Sequence, residues 1–151
     1  MKLAEALINR ADAQKRLAAL ETRLINNARV QEGEKPAEDP TELLKELSAL
    51  TQQIEDLLIR INLTNSRTVD QGDTLTALLS RRDAKGEELR ILKNFLETAS
   101  SLTHRSTRSE IRIVSTVNVA QLQKQADHLA AELRGLDVRI QALNWTTELI
   151  E

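Results

Sequence analysis

Apolar residues recur along most of this chain at intervals of three and four, which is the spacing of one face of an α-helix. The first such stretch runs from Lys2 to about Ala28 and carries a broad apolar stripe. The second runs from Thr41 to Asn65. Its apolar positions step regularly by four and three through Leu43, Leu47, Leu50, Ile54, Leu57 and Ile61. Because this is the seam of a coiled coil, the pattern predicts long helices that pack lengthwise against partners.

Two further helices are predicted in the second half of the chain. One starts after Thr74, a suitable N-cap, and continues to about Ser100, with a polar middle at residues 81–88. The other starts after Asn118. Its seam steps without a fault through Leu122, Ala126, Leu129, Leu133, Leu136, Ile140 and Leu143. The four segments predict a mainly α fold in which long helices form an antiparallel, coiled-coil-like bundle.

Polar, turn-forming residues separate the first three helices. Residues 31–40 hold both prolines of the chain together with glycine and several acidic side chains, which predicts an exposed loop. Asp39 before Pro40 is suited to cap the second helix, because the missing N–H of proline costs nothing at the first helical position. Residues 65–73 predict a turn.

The chain has one cluster of β-branched residues, at Ile111, Ile113, Val114 and Val117. It predicts one short strand before the last helix. A lone strand leaves its N–H and C=O groups unpaired, so it needs a hydrogen-bonding partner. That partner is either residues 29–31, at the same end of an up-down bundle, or the equivalent strand of another subunit.

Composition and charge narrow the possible functions. The length of 151 residues fits a single helical-bundle domain over 1–151. The chain has 21 basic and 23 acidic side chains that are intermixed, so no polyanion-binding surface is evident from net charge. Without cysteine there is no disulfide framework and no thiolate ligand. No stretch resembles a signal peptide or the ~20 apolar residues of a membrane span, so a cytoplasmic location is expected.

Residues that commonly carry catalysis are sparse. The chain has two histidines, His104 in a predicted loop and His128 on the last helix, four residues before Glu132. Two ligands without a third do not make a metal site, and neither Glu-x-x-His pairs nor phosphate-binding glycine motifs occur. We therefore expect no catalytic residue, cofactor or metal, and a protein that is not an enzyme. An enzyme of unfamiliar type, with its site between subunits, stays open as an alternative.

Three arginines form the chain's most suggestive polar cluster. Arg105, Arg108 and Arg112 lie in a stretch with a single acidic residue. Their guanidinium groups could bind phosphates or an acidic partner. The competing interpretation is that they pair with the acidic loop at residues 32–39. The negative net charge and the lack of aromatic residues for base stacking favour this second interpretation. Nucleic acid is therefore not expected as a partner.

Several segments outside the heptads resemble a bacterial family of unknown function whose members are often labelled septicolysin. They are NNARVQEGE (26–34), AEDP (37–40), TLTALLSRRD (74–83), SEIRIVSTV (109–117) and LNWTTELIE (143–151). The resemblance spans nearly the whole chain. It implies a small helical bacterial protein without an established activity, so it transfers no catalytic or binding residues. The label itself implies a cytolysin.

These observations favour a structural or protein-interaction protein that self-associates, as a homo-oligomer, through its strand or through surplus apolar surface. One alternative is a binding module for a polyanion or nucleic acid that uses the arginine-rich residues 104–112. A second alternative is a cytolysin, as the family label suggests. The sequence identifies no specific protein partner.

Overall fold

A computed structural model of the protein describes residues 1–101 and 111–151. Its four long helices are α1 (Leu3–Asn26), α2 (Pro40–Arg67), α3 (Leu75–Ser100) and α4 (Val119–Thr146). A two-stranded antiparallel sheet, β1 (Val69–Asp70) and β2 (Asp73–Thr74), lies between α2 and α3 in the chain. The predicted mainly α fold with four long helices is confirmed, and a short β element does precede the last helix, at a different place from the predicted one.

The chain divides into two compact units. Unit one comprises residues 1–74 and 143–151, and unit two comprises residues 75–142. Each unit has a core of its own, formed by one pair of helices. The expectation of a single helical-bundle domain over 1–151 stays a prediction.

Unit one is built on an antiparallel pair of helices, α1 and α2. The N-terminal part of α2 packs against the C-terminal part of α1, and the buried cluster between them consists of Ala13, Leu20, Leu43 and Leu50, flanked by Leu17, Leu24, Leu47 and Ile54. The predicted heptad seam of α2 therefore does face a partner helix. Burying one such leucine contributes about 1.5–3 kcal/mol, so the seam is a main source of this unit's stability.

The loop between α1 and α2 is fixed at both ends by side chains. Asn27, which is buried, donates from its amide nitrogen to the carbonyl oxygen of Arg23 at 2.8 Å, and its amide oxygen accepts from the Glu38 N–H at 2.9 Å. Asp39 then accepts from the Thr41 N–H at 2.9 Å and caps α2, whose first residue is Pro40. The predicted loop and helix start are confirmed.

The C-terminal segment completes unit one by pairing with the N-terminus of α1. The Leu3 N–H donates to the Thr147 carbonyl at 2.9 Å, and the Leu149 N–H donates to the Met1 carbonyl at 2.8 Å. These two bonds flank an antiparallel bridge between Lys2 and Glu148. Both ends of the chain are thus held in the same core, because their backbone groups satisfy each other.

The predicted turn after α2 is a tight hairpin. The helix runs on to Arg67, and Val69 and Asp70 then pair with Thr74 and Asp73. Gln71 and Gly72, which form the two-residue loop, have φ angles of 49° and 86°. Two positive φ angles are the mark of a type I′ turn, whose twist matches that of the strands.

Unit two is the antiparallel pair of α3 and α4. Its buried cluster consists of Leu89, Leu96, Ala126 and Leu129, flanked by Leu92, Val119, Leu122, Ala130 and Leu133. The polar middle of α3 also reaches α4, because Lys85 Nζ lies 2.8 Å from Glu132 Oε2. The predicted seam of α4 is confirmed here from Leu122 to Leu133, and the polar stretch of α3 supplies an ion pair at the edge of that seam.

The strand predicted at residues 111–117 is not formed within the single chain, and its predicted pairing with residues 29–31 is wrong. These residues are irregular and mostly exposed, and residues 29–31 form no strand either. The physical reason is that β-branched composition favours extended backbone but cannot supply hydrogen-bonding partners. The chain's short sheet forms at residues 69–74 instead, where a type I′ turn brings the two strands together.

Candidate interaction surface

Unit two carries a surface of large apolar side chains, which we call the Phe95 surface. It consists of Ile91, Phe95, Ile111, Ile113 and Val114, whose exposed fractions are 54%, 47%, 81%, 48% and 66%. Ile91 and Phe95 lie one turn apart on α3, on the side that faces away from the buried leucines. Residues 113–116 run beside that side of the helix, where they and Phe95 line a hollow of about 250 Å³.

The Phe95 surface brings large exposed apolar side chains together. Phe95, Ile113 and Val114 line the same hollow, and each is about half exposed or more. Other exposed apolar side chains are distributed over the remaining helices, among them Ile8, Ile25, Leu44, Ile59, Val138 and Trp145. Isolated side chains of that kind are ordinary, whereas a contiguous patch marks a binding surface.

Part of the backbone beside Phe95 has no hydrogen bond among the described residues. Among the hydrogen bonds of the described residues, none involves the N–H or C=O groups of Arg112, Ile113 or Val114. Ser115 bonds locally, since its hydroxyl accepts from the Val117 N–H at 3.4 Å and donates to the Val117 carbonyl at 3.1 Å. The segment therefore ends in a local bend, and the free donors and acceptors before it are those of Arg112, Ile113 and Val114.

A second feature of unit two is a polar groove between α3 and α4. Its hollow of about 500 Å³ is lined partly by Lys85, His128 and Glu132. The hydrogen bond from Lys85 is the main reason that the pKa of Glu132 is lowered, and His128, 3.2 Å away, adds to the effect. Across residues 1–101 and 111–151, no three His, Asp or Glu side chains gather in a way that could hold a metal ion. The groove is a surface ion-pair network.

The candidate arginines are only partly described. Arg105 and Arg108, like His104, lie outside the described residues, and Arg112 is exposed beside Ile113. The acidic loop has a different partner in the described residues: Glu38 Oε1 lies 2.7 Å from Arg23 Nη2. Glu46 joins the same guanidinium at 3.3 Å, so Arg23 bridges the loop to α2.

Sequence reasoning missed the outward position of Phe95. Phe95 lies among leucines in the apolar run at the end of α3. Leu89, Leu92 and Leu96 already form a seam with steps of three and four, which leaves Phe95 outside it. That spacing was the available signal. No sequence signal indicated that Phe95 lies close to Ile113 and Val114, because residues so far apart in the chain follow no common repeat.

Comparison with known proteins places the chain in a family. Residues 10–149 match the profile described as "Family of unknown function (DUF6847)". The chain belongs to this family. The fold is also similar to a crystal structure described as a functionally unknown conserved protein from Corynebacterium diphtheriae, with 46% identity, a TM-score of 0.93 and coverage of 99% of each chain. Among curated proteins, none matches the chain.

These comparisons confirm the resemblance to a family of unknown function, and the septicolysin label has no counterpart in either of the two matches. The agreement with the Corynebacterium protein extends over nearly the full length of both chains, so the fold is common to both. Of the helices in the described part of the chain, none has the length and apolar character that a membrane span requires.

Proposed function

We propose that the protein is a cytoplasmic, non-enzymatic protein-interaction protein that self-associates through exposed apolar surface. The observation that carries this proposal is the Phe95 surface, where apolar side chains of a helix and of an irregular segment lie together in the open. Exposed apolar area of this size is unfavourable in water and is stabilised when a protein partner covers it. A cytoplasmic location agrees with the absence of cysteine from all 151 residues.

The case against an enzyme rests on the arrangement of the polar residues. A nucleophile or a general base works when a neighbouring group orients it and a cleft keeps water away. His128 is 78% exposed, and the Glu132 beside it is already engaged by Lys85. The pKa values that depart from their ordinary range belong to surface ion pairs, such as Glu87 with Arg90. Ion pairs between side chains three residues apart stabilise a helix, and this structural role explains them without a catalytic one.

Light scattering coupled to size exclusion, over a concentration series at low and high salt, tests the proposal. Apolar association persists when salt screens charges, so we expect a mass that is a whole multiple of the chain at both salt concentrations. A chain that stays monomeric throughout the series would overturn the proposal of self-association. A mass that falls to the monomer only at high salt would point to charge pairing instead of the Phe95 surface.

The alternative of polyanion binding has one described residue in its favour, the exposed Arg112. It predicts binding to single-stranded DNA or heparin that weakens steeply with salt and is lost in the Arg108→Ala, Arg112→Ala double variant. The alternative of a cytolysin has no supporting observation among the described residues or the matching proteins. We therefore retain self-association as the proposed function.

A further inference from the structure

Self-association can be assigned to a particular interface, and this inference rests on the proposed function. We infer that residues 111–115 of two copies pair with each other as antiparallel strands across a twofold axis at Ile113. In this arrangement Phe95 and Ile91 of each copy flank the paired strands and are covered with them. The occupant of the Phe95 surface is therefore a second copy of this chain.

The backbone gives the first reason. Arg112, Ile113 and Val114 form no backbone hydrogen bond among the described residues, and the segment is the most β-branched in the chain. An exposed row of free N–H and C=O groups is a template for pairing with another strand. The sheet found among the described residues has two strands and lies much earlier in the sequence, at residues 69–74. A second copy supplies the missing partner strand without any other protein.

Self-complementarity gives the second reason. A twofold interface brings the same patch of both copies together. The charged side chains of the patch must therefore not lie opposite their own copies, where they would repel each other. With Ile113 on the axis, Arg112 lies opposite Val114 of the partner subunit, and the two arginines are offset from each other. Ile113 then lies opposite Ile113 of the partner subunit, a β-branched pair that favours strand pairing. The segment has no second charged residue between positions 111 and 117 that could repel its own copy.

Area gives the third reason. A symmetric pair covers the exposed apolar side chains of the Phe95 surface on both copies at once, so each copy adds buried apolar area to the interface. The paired backbone groups and the adjacent polar side chains of α3 add to that area.

Single-cysteine variants test this interface sharply, because the chain has no cysteine of its own. Opposite residues of an antiparallel pair have Cα atoms about 4.5–5.5 Å apart, within the range that a disulfide bridges. We expect Ile113→Cys to form covalent dimers rapidly under mild oxidation. Ile8→Cys, an exposed position on α1 in unit one, is the matched control and is expected to cross-link at least tenfold more slowly.

A second pair of variants tests the surface without relying on oxidation. Val114→Asp places a charge in the proposed interface, and Val138→Asp places one at a similarly exposed valine on α4. Circular dichroism checks that both variants fold. We expect Val114→Asp to raise the dissociation constant of the dimer at least tenfold, whereas Val138→Asp leaves it within twofold of the unsubstituted chain.

The outcomes separate this inference from the proposed function. If the chain is an oligomer but the Ile113→Cys variant fails to cross-link and Val114→Asp leaves the mass unchanged, the strand-pair interface is wrong and self-association stands. If the unsubstituted chain is a monomer throughout the concentration series, both proposals fall. Rapid cross-linking of the Ile113→Cys variant together with a monomeric Val114→Asp variant supports both.

Discussion

The hydroxyl oxygen of Thr64 accepts a hydrogen bond from the Ile150 N–H at 3.0 Å and donates to the Arg60 carbonyl at 2.7 Å. Arg60 in turn donates from Nε to the Ile150 carbonyl at 2.8 Å. Thr64 is only 1% exposed, so its hydroxyl is a buried polar group whose hydrogen bonds are satisfied. One polar side chain on α2 thereby fixes the end of the chain in the core of unit one.

Replacing Thr64 by Val removes this hydroxyl while it keeps most of the side-chain volume. The Ile150 N–H then loses its acceptor, and we expect the free energy of unfolding to fall by about 1–3 kcal/mol. Urea denaturation measures the change. Thr64→Ser retains the hydroxyl and is the control, with a smaller loss from one missing methyl group. If Val and Ser substitutions cost the same, the hydrogen bond to Ile150 contributes nothing to stability.

The seam of α2 predicts a contrast between two leucines of one helix. Leu50 is buried against α1, whereas Leu44 is 55% exposed. Leu50→Ala leaves a cavity and is expected to lower the free energy of unfolding by about 2–5 kcal/mol. Leu44→Ala is expected to change it by less than about 0.5 kcal/mol. Equal losses in thermal or urea unfolding would contradict the assignment of the seam.

Two glycines with equally open surroundings should respond in opposite directions. An added Cβ meets nothing within 4 Å at Gly72 or at Gly135. Gly72 has a φ of 86° in the hairpin turn, so Gly72→Ala is expected to destabilise the fold by about 1–2 kcal/mol. Gly135 lies within α4, where Ala is the better helix former, so Gly135→Ala is expected to stabilise the fold by about 0.5–1 kcal/mol. Thermal unfolding of both variants shows whether each substitution raises or lowers the stability of the fold.

The ion pair of Arg23 with Glu38 predicts a dependence of stability on pH. The hydrogen bond from Arg23 holds the pKa of Glu38 below its ordinary value of 4.5 in the folded protein. The unfolded chain therefore binds a proton more readily at this carboxylate, and the contribution to stability is present above pH 4.5 and is lost as the pH falls below it. Both side chains are about 40% exposed, so the effect is modest and falls with salt.

Glu38→Gln isolates this contribution. We expect the difference in urea midpoint between the unsubstituted chain and Glu38→Gln to be positive at pH 7 and to shrink as the pH falls below 4.5, because Glu38 then takes up a proton and loses its charge. Glu34→Gln changes an exposed carboxylate of the same loop and is the control for the net charge. A difference that stays constant from pH 7 to pH 3 would show that the loss comes from packing and not from the ion pair.

Much of the fold is determined by local pattern. The steps of four and three in α2 and α4 identified the buried residues of two helices, because a helix repeats its faces whatever it packs against. Asp39 and Pro40 marked the start of α2 for the same kind of local reason, since a cap satisfies groups only two residues away. The arginine cluster was also a local pattern, and Arg112 is its one member among the described residues.

The features that decide function depend on distance in space. The heptads did not specify that α1 pairs with α2 and α3 with α4 in two units, because any apolar seam can pack against any other. The β-branched run at residues 111–117 indicated a strand, but a strand exists only where a second backbone lies beside it, and the described part of this chain brings none there. The amino-acid sequence alone therefore determined the helices, their seams and their caps. Only the tertiary structure decided that Phe95 lies beside Ile113 and Val114, because no local repeat relates a helix to a segment that comes well after it in the sequence.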